Sequence, residues 1–70
     1  MQNAFFISEI KCVCGKVGNY DAYCSGWMGQ TYPWCYLEGG LNSGHCPGAV
    51  RSNDSDHYWT KHRDVCQGRF

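Results

Sequence analysis

The chain has 70 residues, and six lysine and arginine residues balance six aspartate and glutamate residues for a formal net charge of zero. This balance weighs against a nucleic-acid-binding protein, which normally carries a basic excess, and against a cationic membrane-active peptide. No apolar run approaches the roughly 20 residues that a membrane-spanning helix needs, so we predict no membrane span. A chain of this length forms one domain with a small interior.

Residues 1–9 form an apolar arm ahead of the module that we predict for residues 10–68. Its centre, Phe5, Phe6 and Ile7, is too short for the hydrophobic region of a signal peptide, so we expect a mature chain or an excised module. The pattern of residues 4–14 indicates an extended segment. An exposed apolar strand can pair with a neighbouring subunit, and this arm is therefore a candidate self-association site.

The cysteines are even in number and widely spaced, which in so short a chain predicts three disulfides and a secreted protein. They are Cys12, Cys14, Cys24, Cys35, Cys46 and Cys66. Alternate side chains of an extended segment point the same way, so we expect Cys12 and Cys14 to have separate, distant partners. The spacing alone leaves the pairing open.

Glycines punctuate residues 15–29 and predict loops and turns there. A short strand is predicted over residues 32–37, beginning next to Pro33, and Trp34 is expected in the core. The three Trp, five Tyr and three Phe residues stand in for scarce aliphatic side chains. The predicted fold class is therefore a small disulfide-rich module, mostly loops with short antiparallel strands.

One short helix is predicted near residues 54–66, because apolar side chains recur there with helical spacing. Asp54 and Asp56 fall early and Lys61 and Arg63 fall late, which suits the helix dipole. Trp59 is expected to pack beneath this helix.

Tyr23-Cys24, eight further residues and then Pro33-Trp34-Cys35-Tyr36 make a motif that resembles the centre of kringle domains, and fibronectin type II modules carry a looser version. The resemblance covers residues 23–46. It implies little regular structure and a tryptophan packed beside crossed disulfides. The kringle order would pair Cys12 with Cys66, Cys14 with Cys35 and Cys24 with Cys46. It does not imply lysine binding, because the interval between Cys24 and Cys35 contains no acidic residue.

The chain has more aromatic side chains than so small a domain can bury. Those that stay exposed are candidate binding residues. Trp27 lies between glycines and is the best candidate for an exposed aromatic. With Tyr20, Tyr32 and Tyr36 it forms the predicted contact patch for a protein or a glycan, since exposed aromatics suit both sugar stacking and protein hot spots.

Other chemistry receives weaker support from the sequence. His57, His62, Cys66 and the Cys12/Cys14 pair are zinc-ligand types, but Cys-x-Cys is not the usual zinc hook, so we predict no metal and no cofactor. No carboxylate pair or catalytic triad stands out, so we predict a protein that is not an enzyme. Asn53-Asp54-Ser55 is a sequon, which predicts glycosylation at Asn53.

The sequence thus predicts a secreted, non-catalytic module that binds an extracellular protein or glycan. One alternative is a structural subunit of an extracellular matrix or filament that self-associates through its N-terminal arm. A small secreted toxin or defence protein is a second alternative.

Overall fold

A three-stranded antiparallel sheet organises the residues that the structure, a computed structural model, describes: 11–53 and 55–69. Its strands are β1 (Cys35–Tyr36), β2 (Val50–Arg51) and β3 (Tyr58–Thr60). The strand order is β1-β3-β2, so the last strand lies in the centre. Loops, turns and three disulfides make up most of the rest, which confirms the predicted fold class. The predicted arm with Phe5, Phe6 and Ile7 lies outside the described residues.

Strand β1 lies where the sequence predicts a strand, and loop segments continue its pairing beyond each end. Before β1, Ser25 and Trp34 exchange two backbone hydrogen bonds of 3.1 and 2.9 Å. At the end of β1, the amide of Gly15 donates to the carbonyl of Tyr36 at 2.8 Å. A Cβ atom at Gly15 would lie 3.0 Å from the Cα of Glu38, so this close pairing of backbones favours glycine. The described end of the predicted extended segment therefore pairs with β1.

The short helix predicted near residues 54–66 is present only as one turn at the end of that range, α1 (Arg63–Cys66). The stretch before it is strand β3, whose tyrosine, tryptophan and threonine favour strands over helices. Pairing on both edges, with β1 and with β2, satisfies the backbone of β3. The helical spacing of its apolar residues was therefore coincidental. His62 caps the helical turn, because its Nδ1 accepts from the amide of Asp64 at 3.2 Å.

The disulfides join Cys12 to Cys46, Cys14 to Cys35 and Cys24 to Cys66. The predicted Cys14–Cys35 bond is confirmed, and the predicted Cys12–Cys66 and Cys24–Cys46 bonds are wrong. The observed bonds span 34 and 42 residues, whereas the predicted ones would span 54 and 22. Loop-closure entropy separates these alternatives by only about 0.2 kcal/mol. Packing decides the pairing instead.

The packing that decides it lies on one side of the sheet, which we call the sulfur face. Directly paired residues share a face, and Cys35 pairs with Thr60 in β1 and β3. Cys35 and Leu37 form the buried core with Cys46 and Val65. Val65 precedes the last cysteine in α1, so burying it brings Cys66 to this face, beside Cys24.

The opposite side of the sheet, which we call the aromatic face, carries larger rings. Trp59 of β3 is paired with Tyr36 of β1 and with Val50 of β2, so the three side chains form a row across the sheet. Trp34 precedes Tyr36 by two positions and shares its side, with ring centroids 5.0 Å apart. The aromatic face is therefore built by the alternation of residues in β1 and β3.

Candidate ligand-binding groove

An open groove of about 380 Å³ lies over the aromatic face. This volume is near the lower end of the roughly 300–1,000 Å³ that small-ligand sites occupy. The described residues that line it are Met28, Gln30, Tyr32, Trp34, Tyr36, Val50, Arg51, Ser52, Asn53 and Trp59. Four of the ten are aromatic, and the polar ones come from the loop before β1, from the end of β2 and from the connection that follows β2.

The four aromatic rings of the groove contact one another in a chain. Trp34 meets Trp59 edge to face at 5.6 Å between centroids, and Tyr32 lies nearly parallel to Trp59 at 6.4 Å. Trp34 is only 4% exposed and Tyr36 only 6%, while Tyr32 and Trp59 are half-buried. The first two therefore form the floor, and the second two present more ring surface to solvent.

Tyr20 and Trp27 support this floor from behind. The Tyr20 ring lies 5.5–5.9 Å from the rings of Trp27, Trp34 and Tyr36. The indole Nε1 of Trp34 donates to the backbone carbonyl of Trp27 at 2.9 Å. Contacts of this kind fix the orientation of Trp34, because a buried indole N–H needs an acceptor.

Polar and charged groups surround the rings. Arg51 donates to the Oδ1 of Asp56 at 3.3 Å, and both side chains are largely exposed. The Nζ of Lys61 lies 4.4 Å from the centroid of the Tyr32 ring, within the range of a cation–π contact. Asn53 is exposed at the rim. The rim therefore offers hydrogen-bond donors on exposed side chains beside an apolar floor.

Met28, at the edge of the groove, has a left-handed backbone with φ 59° and ψ 27°. It is the one non-glycine residue with positive φ in the described part of the chain, and its side chain is 59% exposed. This conformation costs an L-amino acid about 1–2 kcal/mol. The fold therefore holds this loop in a strained shape beside the groove.

The structure divides the predicted contact patch into two layers. Tyr32 and Tyr36 line the groove, whereas Tyr20 and Trp27 contact its floor and are not among the described lining residues. Trp27 is half-buried, and its Nε1 donates to the carbonyl of Tyr23 at 3.2 Å. The predicted exposed aromatic is therefore folded back onto its own loop.

Two groove residues were assigned to the interior by the sequence prediction. Burial of Trp34 is confirmed, and the residue also lines the groove. Trp59 does not pack beneath a helix, because its segment is a strand. The signal for both was alternation: Trp34 lies two positions before Tyr36 of β1, and His57 lies two positions before Trp59 of β3.

Oxidation of the cysteines removes the thiolates that a zinc site would use. Cys12 and Cys66, which the sequence offered as zinc ligands, are bonded to Cys46 and Cys24. His45 Nε2 lies 3.9 Å from the Sγ of Cys12, but that sulfur is likewise part of a disulfide. The predictions of no metal and no enzymatic activity stay predictions. Within residues 11–53 and 55–69, no helix has the length and apolar character to cross a bilayer.

Comparison with known proteins finds no family model, no curated protein and no solved structure that matches this chain. The resemblance of residues 23–46 to kringle and fibronectin type II modules accordingly stays a prediction.

Proposed function

We propose that this protein is a secreted, non-catalytic module that binds a saccharide in the groove over its aromatic face. The observation that carries the proposal is the juxtaposition of four aromatic rings with exposed polar side chains in one groove. Secretion is supported by the three disulfides, because such bonds persist in oxidising compartments.

A sugar ring suits this groove because it has two kinds of surface. Its C–H faces are apolar and stack on aromatic rings, and Tyr32 and Trp59 provide such rings at the opening. Its hydroxyl groups need hydrogen-bond partners at the edge, where Gln30, Arg51 and Asn53 lie. A few polar groups around an apolar surface are the usual composition of a small-ligand site.

The floor of the groove is held in place before any ligand arrives. The Cys14–Cys35 disulfide fixes β1 from the sulfur face, and the hydrogen bond from Trp34 to Trp27 fixes the largest floor ring. Rigid side chains lose little conformational entropy on binding. Little of the free energy gained from ligand contacts would therefore be lost in ordering the floor of the groove.

The test is a glycan array followed by titration of a bound saccharide into two tyrosine variants. Tyr32→Ala removes a ring from the groove, and we expect affinity to fall at least tenfold, which corresponds to about 1.4 kcal/mol. Tyr23→Ala is the matched control, because Tyr23 is 55% exposed and is not a lining residue. We expect its affinity to be unchanged.

Two results would contradict the proposal. One is an array on which no saccharide binds while extracellular proteins do, which would favour a protein ligand for the same patch. The other is equal loss of affinity in both variants. The matrix-subunit alternative depends on Phe5, Phe6 and Ile7, which lie outside the described residues. That alternative and the toxin alternative stay predictions.

A further inference from the structure

We propose that an N-linked glycan on Asn53 folds over the groove of its own molecule and closes it to other ligands. The inference rests on the proposed function for the identity of the site, and it adds a modification that regulates the site. Two independent observations meet at this residue: Asn53 begins the Asn53-Asp54-Ser55 sequon, and it lines the groove.

Asn53 lies in the connection between β2 and β3, and both ends of this connection are tied together. The amide of Ser52 donates to the carbonyl of His57 at 2.9 Å. Arg51 and Asp56 form an ion pair across it, and the Ser55 hydroxyl donates to the Ser52 hydroxyl at 3.1 Å. Asn53 is therefore held at the rim rather than on a free loop.

The modification itself needs an exposed amide and a lipid-linked oligosaccharide donor in the secretory pathway. A bond forms between Nδ2 of Asn53 and C1 of the first sugar, while the bond from C1 to the donor's pyrophosphate breaks. The amide loses one proton, and the lipid pyrophosphate leaves. Asn53 is exposed, as an acceptor for this bulky group must be.

The first sugar, an N-acetylhexosamine, belongs to the ligand class that the groove is proposed to take. Trp59 of β3 pairs with Val50 of β2, so it lies beside the strand that leads directly to Asn53. Tethering also raises the effective concentration of the attached sugar at the groove, commonly into the millimolar range for short linkers. A weakly bound sugar would therefore still occupy the rings.

The experiment compares protein secreted by eukaryotic cells in four forms: wild type, Asn53→Gln, Ser55→Ala and Ser55→Thr. Asn53→Gln and Ser55→Ala abolish the sequon at different residues, and Ser55→Thr keeps it. Peptide mass spectrometry reads glycan occupancy at Asn53. With a ¹³C-labelled first sugar, the NMR shift of its acetyl methyl group reports contact with an aromatic ring.

We expect Asn53 to be occupied in wild type and Ser55→Thr, with the methyl signal moved upfield by ring currents. Trp59→Ala should return that signal toward its position in a free sugar. Unmodified Asn53 in cells that glycosylate a reporter protein would overturn the inference, and so would an unshifted methyl signal.

The same samples separate this inference from the proposed function. Ser55→Ala has a groove free of glycan and keeps the Asn53 side chain at its rim, so its binding to the array tests the proposed function alone. The methyl shift tests the intramolecular contact whether or not any free saccharide binds. If both hold, a free saccharide should bind at least tenfold more weakly to the glycosylated wild type than to Ser55→Ala, and equal affinities would overturn the closure.

Discussion

The two faces of the sheet use the same three strands for different purposes. On the sulfur face, Cys35 is 0% exposed and Thr60 is also fully buried, and disulfides lock the strands to the loops. On the aromatic face, Tyr32 and Trp59 stay half-buried over an open groove. Large rings therefore line the aromatic face, which the disulfides do not cross-link.

This division shows how a chain with few aliphatic residues can leave aromatic surface open. The disulfides supply stability from one face, so the rings on the other face need not be fully buried to hold the fold. Substitutions on the sulfur face should accordingly act on the free energy of unfolding. Those at the mouth of the groove, such as Tyr32→Ala, should act mainly on binding.

The largest expected effect comes from breaking a disulfide of the sulfur face. We expect Cys14→Ala/Cys35→Ala to lower the free energy of unfolding by about 3–5 kcal/mol, because native disulfides of small secreted domains contribute about 2–5 kcal/mol and Cys35 also fills the core. Urea denaturation under non-reducing conditions measures the loss.

Cys24→Ala/Cys66→Ala is the matched control for that experiment. Its bond spans 42 residues against 21 for Cys14–Cys35, so loop entropy alone makes it the costlier one to remove by about 0.6 kcal/mol. Because both Cys24 and Cys66 are only half-buried, we expect the reverse order. A larger loss in Cys24→Ala/Cys66→Ala would show that the sulfur face acts through the unfolded chain rather than through packing.

A smaller effect is expected from the buried hydroxyl of the sulfur face. Thr60 donates to the carbonyl of Pro47 at 2.7 Å and accepts from the amide of His62 at 3.1 Å. Thr60→Val keeps the shape but leaves both groups without this partner, so we expect a loss of about 2 kcal/mol in the free energy of unfolding. Thr60→Ser retains the hydroxyl, and its loss should be smaller. A larger loss in Thr60→Ser than in Thr60→Val would assign the main role to the methyl group.

The smallest effect is expected beside the aromatic face, at Met28. Glycine normally destabilises regular structure relative to alanine by about 0.5–1 kcal/mol, but the left-handed backbone of Met28 reverses that preference. We expect Met28→Gly to be about 1 kcal/mol more stable than Met28→Ala in thermal or urea unfolding. The opposite order would mean that this loop relaxes to an ordinary conformation in solution.

The sequence predicted the parts of the fold that depend on residue type. The cysteine count predicted three disulfides, and the residues after Pro33 predicted β1. The pairing of Cys12 and Cys24 could not be predicted, because the alternatives differ so little in loop entropy. The strand at residues 58–60 was also missed, since helical spacing occurred by chance and its partner β1 is distant in sequence.

The candidate site was predicted only in part, because its recognition also depends on strand pairing. Tyr32 and Tyr36 were proposed as contact residues and line the groove, but Trp34 and Trp59 were assigned to the interior. A ring that is buried on one side and open on the other cannot be recognised from its own sequence position. It is recognised only when the strand register is known, which here places Trp59 between Tyr36 and Val50.

The β1-β3-β2 order has a consequence for biosynthesis. Strands β1 and β2 do not pair with each other, and the strand that joins them is made last. Cys24 has its partner only once residue 66 has been added. The Cys24–Cys66 bond can therefore form only after translation has passed the whole sheet.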